Sequence, residues 1–544
     1  MSLPTEKRQG SLFDVPVLAA GLFVNPADRY RLFREKVMPA LWAKREELAA
    51  LYCEDNGRPG IEPVLMLAVS LLQFMEKIPD RKAEEHVRLH LGWKYALDVE
   101  LGYEGFDHSS LGKFRDRLLA ETAERIGFDA LLDGLREAGL VKNRNRQRLD
   151  STHVLGAVAR MSRLEVVRET IRLFLEHVER IGAHERLADW AKWQERYIDS
   201  EIPWHRLSVE SLAEKFQQAG TDALTLICWL RQEAVPVWNH ERSVLLERVF
   251  LEQYELVMDM PARRKITDSG TVKNPHDPDV QWSTKDLAKT KQWEGFKVQI
   301  AETVPEADGP KPKGEPTEQF IVEVVTTEAI ASDLDGMRQV LAAEAEHHLD
   351  RPTELYVDAG YVTDDTLTQA KEEGRELIGP ARASGNVTSK GFKPEQFDVD
   401  VANRKAICPA GHISRQCSLI HDTYNHAVFL RFEWAGLCDD CPMQKQCTKS
   451  RGGRRLLVVG VNHDVLQERR RQMQTETFKQ QMHRRNGIEG TISEFTRGGG
   501  RRTRYRGRRK TALGNYMHGA AINAKRWIRL LAWKNERKVA EKVV

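Results

Sequence analysis

The chain has 544 residues, of which 41% are hydrophobic and 30% charged, and its formal net charge is +3. This length exceeds what one ordinary hydrophobic core organises, so several domains are expected. No run of about 18 apolar residues occurs, which excludes a typical membrane span, and the N-terminus lacks the basic start and apolar stretch of a secretory signal. A soluble cytoplasmic protein without a membrane partner is predicted.

Residues 1–140 are predicted to form a helical N-terminal domain. Leu41, Leu48 and Leu51 recur at helical spacing, and an apolar run at 64–69 follows Pro63, which suits the first turn of a helix. Several short helices in series, with basic residues near the last, are compatible with a DNA-binding module. A generic helical bundle fits this pattern equally well.

The central part predicts an α/β fold with a mixed sheet, because strand-like and helix-like segments alternate. Residues 141–162 contain the first strand, residues 163–262 read as a helical insert, and residues 263–380 complete the core after a loop at 266–292. Within that core the sequence predicts strands at 295–300, 320–325, 354–358 and 377–380, helices at 333–348 and 363–373, and a polar excursion at 306–318.

The C-terminal part divides into two predicted regions. Residues 381–461 form a cysteine-rich insert. Residues 462–544 are predicted to contain a long helical stretch from about Asn462, which includes Glu489, and a final helix over 520–541.

Three acidic residues are candidates for catalysis. Asp358 ends an apolar strand, where α/β sheets usually build their sites, and Asp150 lies within or just after a strand. Either aspartate could instead cap a following helix. If 478–492 is one unbroken helix, Glu489 shares a face with Phe478 and Met482, where a carboxylate is costly unless it is paired or binds a metal.

The same helix geometry separates Glu489 from its neighbours. Glu494 projects roughly opposite, toward the expected solvent side, so the face selects Glu489. An ion pair between Glu489 and Arg485, one turn away, is the structural alternative.

Basic residues concentrate between 484 and 510, where ten lysines and arginines face two glutamates. A local cluster of this kind predicts a polyanion partner, although a solvated basic loop is the plain alternative. The residues predicted to bind DNA are Arg485, Arg497, Arg501, Arg502, Arg504, Arg506, Arg508, Arg509 and Lys510.

Five of the seven cysteines lie between 408 and 447. In a reducing compartment such a cluster indicates a metal site more often than disulfides. Cys408, Cys438, Cys441 and Cys447 would form a closed, structural tetrahedral Zn²⁺ site, in which Cys417 or His412 could replace one ligand. Reduced cysteines without a metal are the alternative.

Three motifs resemble the bacterial insertion-sequence transposases of the DDE superfamily: Leu149-Asp150-Ser151-Thr152-His153-Val154, Tyr356-Val357-Asp358-Ala359-Gly360-Tyr361 and Arg485-Asn486-Gly487-Ile488-Glu489-Gly490. The stretch from Gly57-Arg58-Pro59 to Phe114-Arg115 resembles the helical domain that precedes the catalytic core of this family. Two positions depart from the pattern: Met482 replaces a frequent Tyr, and Thr496 replaces a frequent Lys. These family residues serve contacts with the DNA backbone, so the departures leave the acidic triad intact.

The resemblance implies a ribonuclease H-like core and a catalytic triad of Asp150, Asp358 and Glu489. It also implies two Mg²⁺ (or Mn²⁺) ions per active site, bridged by Asp150, which stabilise the attacking and leaving oxygens of a phosphodiester. The expected function is DNA transposition: binding of terminal inverted repeats, strand cleavage and strand transfer to target DNA. A homodimer on double-stranded DNA, associated with the nucleoid, is expected.

Two other functions fit parts of the pattern. One is a nuclease on the same fold that cuts DNA without joining it. The other is a DNA-binding regulator that has lost catalysis, which the intact triad argues against.

Overall fold

The computed structural model of the protein describes residues 3–4, 14–53, 60–200, 208–232, 240–265, 270–285, 290–305, 314–347, 350–382, 391–422, 427–448, 450 and 452–543. The motif residues Gly57–Pro59, part of the predicted loop at 266–292 and most of the polar excursion at 306–318 lie outside these ranges.

The N-terminal part is helical, as predicted. Its helices are α1 (Val15–Leu18), α2 (Arg29–Leu32), α3 (Met38–Trp42), α4 (Arg45–Ala49), α5 (Pro63–Glu76), α6 (Asp80–Leu89), α7 (Leu91–Leu97), α8 (Ser109–Ala120) and α9 (Ile126–Glu137). Pro63 occupies the first turn of α5, where its missing N–H costs nothing. Most of α5 is buried, so this helix lies at the centre of the N-terminal core.

The first strand, β1 (Arg146–Leu155), leads into the helical insert. The insert contains α10 (Arg163–Arg180), α11 (Trp190–Trp193), α12 (Val209–Leu230) and α13 (Glu241–Gln253), which share a hydrophobic core of their own. The prediction of helix up to about residue 260 is wrong at its end, because a hairpin of β2 (Tyr254–Val257) and β3 (Met260–Arg263) follows α13. Met258 and Asp259 both have positive φ, the conformation that a tight hairpin turn requires.

The remaining core alternates strands and helices as predicted, with one addition. Its elements are β4 (Gln281–Thr284), β5 (Gln292–Thr303), β6 (Ile321–Glu328), α14 (Asp333–Glu346), β7 (Glu354–Tyr356), α15 (Asp364–Glu372) and β8 (Glu376–Ile378). β4 lies inside the segment predicted as loop. Its pairing with β5 supplies a tertiary hydrogen-bond partner that overrides the polar local sequence.

The cysteine-rich region contains two small sheets. β9 (Asp398–Asp400) pairs with β10 (Lys405–Ile407), and β11 (Gln416–Asp422), β12 (Ala427–Glu433) and β13 (Leu456–Gly460) form a three-stranded antiparallel sheet. The short helix α16 (Gln444–Cys447) lies before β13. Buried aromatic side chains, including Phe397, Phe432 and Trp434, form the core of this region.

The C-terminal part is helical but broken. Its helices are α17 (His463–Gln472), α18 (Glu476–His483), α19 (Gly487–Phe495) and α20 (Arg508–Val543), with a 3₁₀ turn (Arg484–Asn486) between α18 and α19. The prediction of one unbroken helix through Glu489 is therefore wrong. The final helix begins at Arg508 rather than near Ala520, and its first turns also pack into the main core through Leu513 and Met517.

The main sheet is mixed, with the strand order β4-β5-β1-β7-β8, and β6 also pairs with β5. β1 is antiparallel to β5 and parallel to β7, and β7 is parallel to β8. Helix α20 packs against β6, α5 and α9, so one hydrophobic core joins the sheet to the N-terminal helices. Among the described residues, no helix is long and apolar enough to cross a membrane.

Candidate active site

The two predicted catalytic aspartates lie on adjacent parallel strands. The register of β1 and β7 pairs Arg146 with Glu354 and Arg148 with Tyr356. Asp150 and Asp358 each lie two residues beyond the last of these pairs, so they occupy equivalent positions. Asp150 is still within β1, whereas Asp358 follows the end of β7. The parallel register therefore brings two carboxylates, distant in sequence, to the same edge of the sheet.

Asp358 lies in a turn rather than in a strand. Its side chain caps the 3₁₀ turn Ala359–Tyr361 by accepting a hydrogen bond from the backbone N–H of Ala359. This side chain is 56% exposed, whereas that of Asp150 is 18% exposed. Asp358 therefore does cap a turn, as the alternative from the sequence predicts. Much of its carboxylate nevertheless faces solvent.

Glu489 lies in the first turn of α19 and is exposed. Its side chain is 68% exposed, and the buried face of α19 consists of Ile488, Thr491 and Phe495. The prediction that Glu489 lies on an apolar face is wrong, because it assumes one continuous helix and α19 begins only after a 3₁₀ turn at Arg484–Asn486. Glu494, predicted to face solvent, instead forms an ion pair with Arg526 at 3.0 Å.

Arg485 lies between all three predicted carboxylates. Its Nη2 is 2.9 Å from Oδ2 of Asp150 and 3.7 Å from Oδ2 of Asp358. Its Nη1 is 3.4 Å from Oε1 of Glu489. The pair predicted as the structural alternative for Glu489 is present, and it is part of a larger cluster. One guanidinium, only 15% exposed, brings together acidic residues from β1, from the turn after β7 and from α19.

Hydrogen bonds to residues of the sheet hold the turn that carries Arg485. Arg148, in β1, donates a hydrogen bond from Nη1 to the backbone carbonyl of Arg484 at 2.7 Å. A Cβ at Gly487 would lie 2.0 Å from this Nη1, so a larger residue would require the guanidinium of Arg148 to shift. Arg484 in turn donates to the hydroxyl of Tyr356, at the end of β7, at 2.8 Å.

A buried network of charged side chains holds helix α19 against the sheet. Glu302, fully buried in β5, accepts hydrogen bonds from Arg148, from Arg526 of α20 and from the hydroxyl of Thr491. Arg526 also donates to Thr491 at 2.6 Å and pairs with Glu494. Buried charges persist only when paired and hydrogen-bonded, so this network fixes α19 against β1 and β5.

The environment of Asp150 disfavours its charged form. Burial raises the pKa of Asp150, and the nearby carboxylates of Asp358 and Asp333 raise it further. The backbone N–H of Ser151 and the guanidinium of Arg485 act in the opposite direction. Burial also raises the pKa of Tyr361, which the same carboxylates surround. Several acidic groups thus lie close together at this edge of the sheet and shift each other's pKa values, as is common at functional sites.

Asp333 was not predicted as a site residue, although it lies beside the triad. It starts α14, and its Oδ1 is 3.5 Å from the hydroxyl of Ser151 and 3.4 Å from Nζ of Lys297. The sequence around it signals only a helix start, with Ser332 as the capping residue. Its proximity to Asp150 arises from packing of α14 on the sheet, which no local pattern reveals.

The carboxylates suit a hard cation by their chemistry. Three acidic side chains converge on one guanidinium, so the site already accommodates positive charge, and oxygen ligands are those that Mg²⁺ prefers. Within the described part of the chain, however, no group of three or more His, Cys, Asp or Glu side chains is arranged to hold a metal ion.

The four cysteines predicted as zinc ligands line one small cavity. Cys408, Cys438, Cys441 and Cys447 surround a space of about 20 Å³, and His412 lines it too. Burial raises the pKa of the Cys447 thiol, with the other three cysteines adding to the rise. Cys417 does not line this cavity. The cysteines thus come together, but the metal-like arrangement that the zinc prediction requires is not found among the described residues.

The basic residues predicted to bind DNA are unequally available. Arg508, Arg509 and Lys510, in the first turn of α20, pair with Glu328, Glu124 and Asp116. The backbone N–H of Arg508 donates to Asp279 at 2.9 Å. Positive side chains at a helix N-terminus are unfavourable, and these carboxylates compensate for them.

The other cations of the stretch fall into two groups. Arg501 donates to the backbone carbonyl of His153 at 2.9 Å, Arg497 donates to the carbonyl of Ser493 at 3.3 Å, and Arg504 lies 3.9 Å from Asp80. Arg502 and Arg506 are exposed and form no ion pair with the carboxylates that the structure describes. Arg506 nevertheless acts electrostatically on Asp277, where its charge opposes the rise in the pKa of that buried carboxyl.

Two transposase family models match the chain. A model described as a transposase DDE domain matches residues 407–528, and one described as a transposase domain (DUF772) matches residues 22–117. The first range includes Glu489, Arg485 and the basic stretch, whereas Asp150 and Asp358 lie outside both. No curated protein and no solved structure matches the chain.

These matches support an insertion-sequence transposase of the DDE class. The DDE domain implies, in general terms, an enzyme of DNA cleavage and transposition. The mixed α/β architecture is consistent with that class.

Proposed function

We propose that this protein is a DNA transposase that binds terminal inverted repeats and catalyses strand cleavage and strand transfer at Asp150, Asp358 and Glu489. The observation that carries the proposal is the convergence of these three carboxylates on Arg485. A protein that only binds DNA has no need of three clustered carboxylates. The regulator alternative is therefore not favoured.

The core is proposed to be ribonuclease H-like. What supports this is the strand order, in which three antiparallel strands (β6, β5 and β1) continue into two parallel ones (β7 and β8). In this arrangement β1 and the turn after β7 supply the two aspartates, and helix α19 supplies the glutamate.

The residues of the chain have separable roles in the proposed chemistry. Asp150, Asp358 and Glu489 would hold two Mg²⁺ or Mn²⁺ ions, which when bound supply charge stabilisation for the attacking and leaving oxygens of a phosphodiester. The N–H of Ser151 and Arg485 orient the carboxylate of Asp150. The exposed side chains of Asp358 and Glu489 face the solvent from which DNA approaches. Arg485 is placed to contact a phosphate oxygen of the bound strand.

Transposition requires two DNA ends, so two chains are proposed to act together on double-stranded DNA at the nucleoid. Arg502 and Arg506 are the best-placed contacts to duplex phosphates, because both are exposed and neither forms an ion pair with a described carboxylate. The other basic residues of the stretch would have to exchange a protein contact for a DNA contact.

A structural Zn²⁺ site at Cys408, Cys438, Cys441 and Cys447 is proposed only on the observation that these cysteines line one cavity. Metal analysis of the purified protein tests it, and about one zinc per chain is expected. Absence of zinc, together with an unchanged unfolding temperature in chelator, would establish reduced cysteines instead.

The function is tested by incubating the protein with Mg²⁺, DNA that ends in the inverted repeats flanking its gene, and a target plasmid. Joined products are expected. Hydrolysis without joining would identify a nuclease, and DNA binding without any cleavage would identify a regulator.

A further inference from the structure

The basic stretch contacts the strand that carries Asp150. The N–H of Leu155, the last residue of β1, donates to the carbonyl of Arg501 at 2.8 Å, and the N–H of Thr503 donates to the carbonyl of Leu155 at 2.9 Å. Leu155 is five residues beyond Asp150, which corresponds to roughly 16 Å along a strand. The surface around Arg502 therefore adjoins the candidate active site along the same strand.

A cavity of about 510 Å³ opens on one side of this contact. Its lining includes the side chains of Trp282 and Trp293, from β4 and β5. The segment after β1 contributes Gly156, Ala157 and Ala159, and the ion pair of Arg160 and Glu294 lines the same cavity. Aromatic walls of this kind provide flat apolar surfaces on which nucleobases stack, independently of base identity.

A second cavity, of about 310 Å³, opens between α5 and the basic stretch. Lys77, Arg502 and Arg504 supply positive charge to its lining, and Thr503 and Asn515 supply hydrogen-bonding groups. None of the described residues that line it carries a carboxylate. Its chemistry suits an anion such as a backbone phosphate.

Arg502 lines both cavities. Its side chain is exposed and forms no ion pair within the described ranges, in contrast to Arg509 and Lys510 nearby. An unpaired arginine thus lies between a stacking surface and an anion-binding surface. This combination of cation and aromatic groups is the one that proteins use to bind single strands.

We propose that the two cavities and Arg502 form a track that binds an unpaired segment of a DNA strand beside the candidate active site. Bases stack against Trp282 in the first cavity, and phosphates contact Arg502 and Lys77 toward the second. Since a duplex conceals its base faces between neighbouring pairs, the track prefers unpaired DNA. The inference rests on the proposed function in taking DNA as the ligand.

Fluorescence anisotropy with a labelled single-stranded oligonucleotide, and with the same sequence as a duplex, tests this track in the full-length protein. Trp282→Ala is expected to weaken single-strand binding about tenfold and duplex binding much less. Trp282→Phe, which retains an aromatic face, is expected to bind nearly as well as the wild type. Arg502→Ala is expected to weaken single-strand binding and to reduce its salt dependence by about one released counterion.

Two matched variants control for general effects: Trp190→Ala in the helical insert, and Arg338→Ala, an exposed arginine of α14. Both are expected to leave single-strand binding unchanged. Equal losses for single strand and duplex in Trp282→Ala, or wild-type binding by both Trp282→Ala and Arg502→Ala, would overturn the track. Thermal unfolding of each variant verifies folding, and if Trp282→Ala unfolds, Arg502→Ala decides the matter through its single-strand affinity and salt dependence.

Failure of the track and failure of the proposed function give different experimental results. If Asp150→Asn still joins DNA while Trp282→Ala loses single-strand binding, the assigned triad fails and the track stands. If Asp150→Asn is inactive while Trp282→Ala binds normally, the triad stands and the track fails.

Discussion

Asp150 and Asp358 occupy equivalent positions on adjacent parallel strands, each two residues beyond the pair formed by Arg148 and Tyr356. This relationship depends on sheet register rather than on the local conformation of either residue. The third carboxylate, Glu489, reaches the same place through a turn that Arg148 fixes from β1. The strand of Asp150 thus positions both other members of the proposed triad.

The cluster around Arg485 predicts competition between this side chain and a divalent cation. In Arg485→Ala the carboxylates lose their neutralising partner, so the apo protein is expected to unfold at a lower temperature than the wild type. The affinity for Mn²⁺ is expected to rise roughly tenfold, equivalent to about 1.4 kcal/mol. Isothermal titration with Mn²⁺ measures it, and Lys479→Ala, an exposed lysine of α18, is the control. Weaker Mn²⁺ binding by Arg485→Ala would show that the guanidinium assists the metal instead.

The network around Glu302 predicts a large loss of stability. Glu302→Gln removes the charge that faces Arg148 and Arg526 in a fully buried position. We expect a loss of roughly 3 kcal/mol, because the buried Arg148 loses the carboxylate with which it pairs, while Arg526 retains its pair with Glu494. Denaturant unfolding measures this loss, with Glu346→Gln, an exposed glutamate of α14, as the matched control. A variant as stable as the wild type would mean that the network contributes little to the fixing of α19.

The uneven pairing of the basic stretch predicts different roles for neighbouring arginines. Arg506→Ala is expected to weaken duplex binding and to reduce the slope of log affinity against log salt by about one. Arg509→Ala breaks the pair with Glu124 and is expected to change stability by about 1 kcal/mol or less, since Arg509 is largely exposed. Anisotropy at several salt concentrations distinguishes them, with Arg338→Ala as reference. Equal slopes for Arg506→Ala and the reference would contradict the assignment.

Glu344 predicts a pH-dependent stability. This residue of α14 is 1% exposed, and burial, with Glu323 nearby, raises its pKa from 4.5 to about 8. Above pH 4.5 the unfolded chain loses a proton that the folded protein retains, so this group lowers stability increasingly until about pH 8. Glu344→Gln removes the penalty and is expected to stabilise the protein by roughly 3 kcal/mol at pH 7 and hardly at all near pH 4.5.

Unfolding temperatures of Glu344→Gln at pH 5 and pH 8 measure this effect. Glu346→Gln, an exposed residue of the same helix, provides the matched control and is expected to change nothing. The same gain for Glu344→Gln at both pH values would contradict a titrating Glu344.

Several elements of the site could be predicted from local sequence. The apolar runs before Asp358 and around Asp150 identify strands, and Asp358 lies close to the predicted strand end. The register that aligns β1 with β7 could not be predicted. The two strands are about 200 residues apart in sequence, and the backbone hydrogen bonds that join them have no local sequence signature. The neighbouring Asp333 remained unrecognised for the same reason.

Glu489 belongs to the cluster around Arg485, although the helical periodicity that selects it from the sequence misplaces its face. That periodicity assumes an unbroken helix, whereas a 3₁₀ turn at Arg484–Asn486 precedes α19 and Glu489 is exposed. Gly487 follows this turn and packs against the guanidinium of Arg148, which is remote in sequence. The partners of the basic stretch are equally remote: Arg509 and Glu124 are separated by 385 residues.

The central claim is that Asp150 is a catalytic carboxylate, and strand transfer by Asp150→Asn tests it most directly. Wild type and variant are compared in Mg²⁺ with repeat-ended DNA and a target plasmid, and Asp335→Asn, an exposed residue of α14, is the control. Joined product is expected from the wild type and the control. None is expected from Asp150→Asn, although this isosteric variant is expected to bind DNA. Joined product from Asp150→Asn at the wild-type rate would contradict the claim.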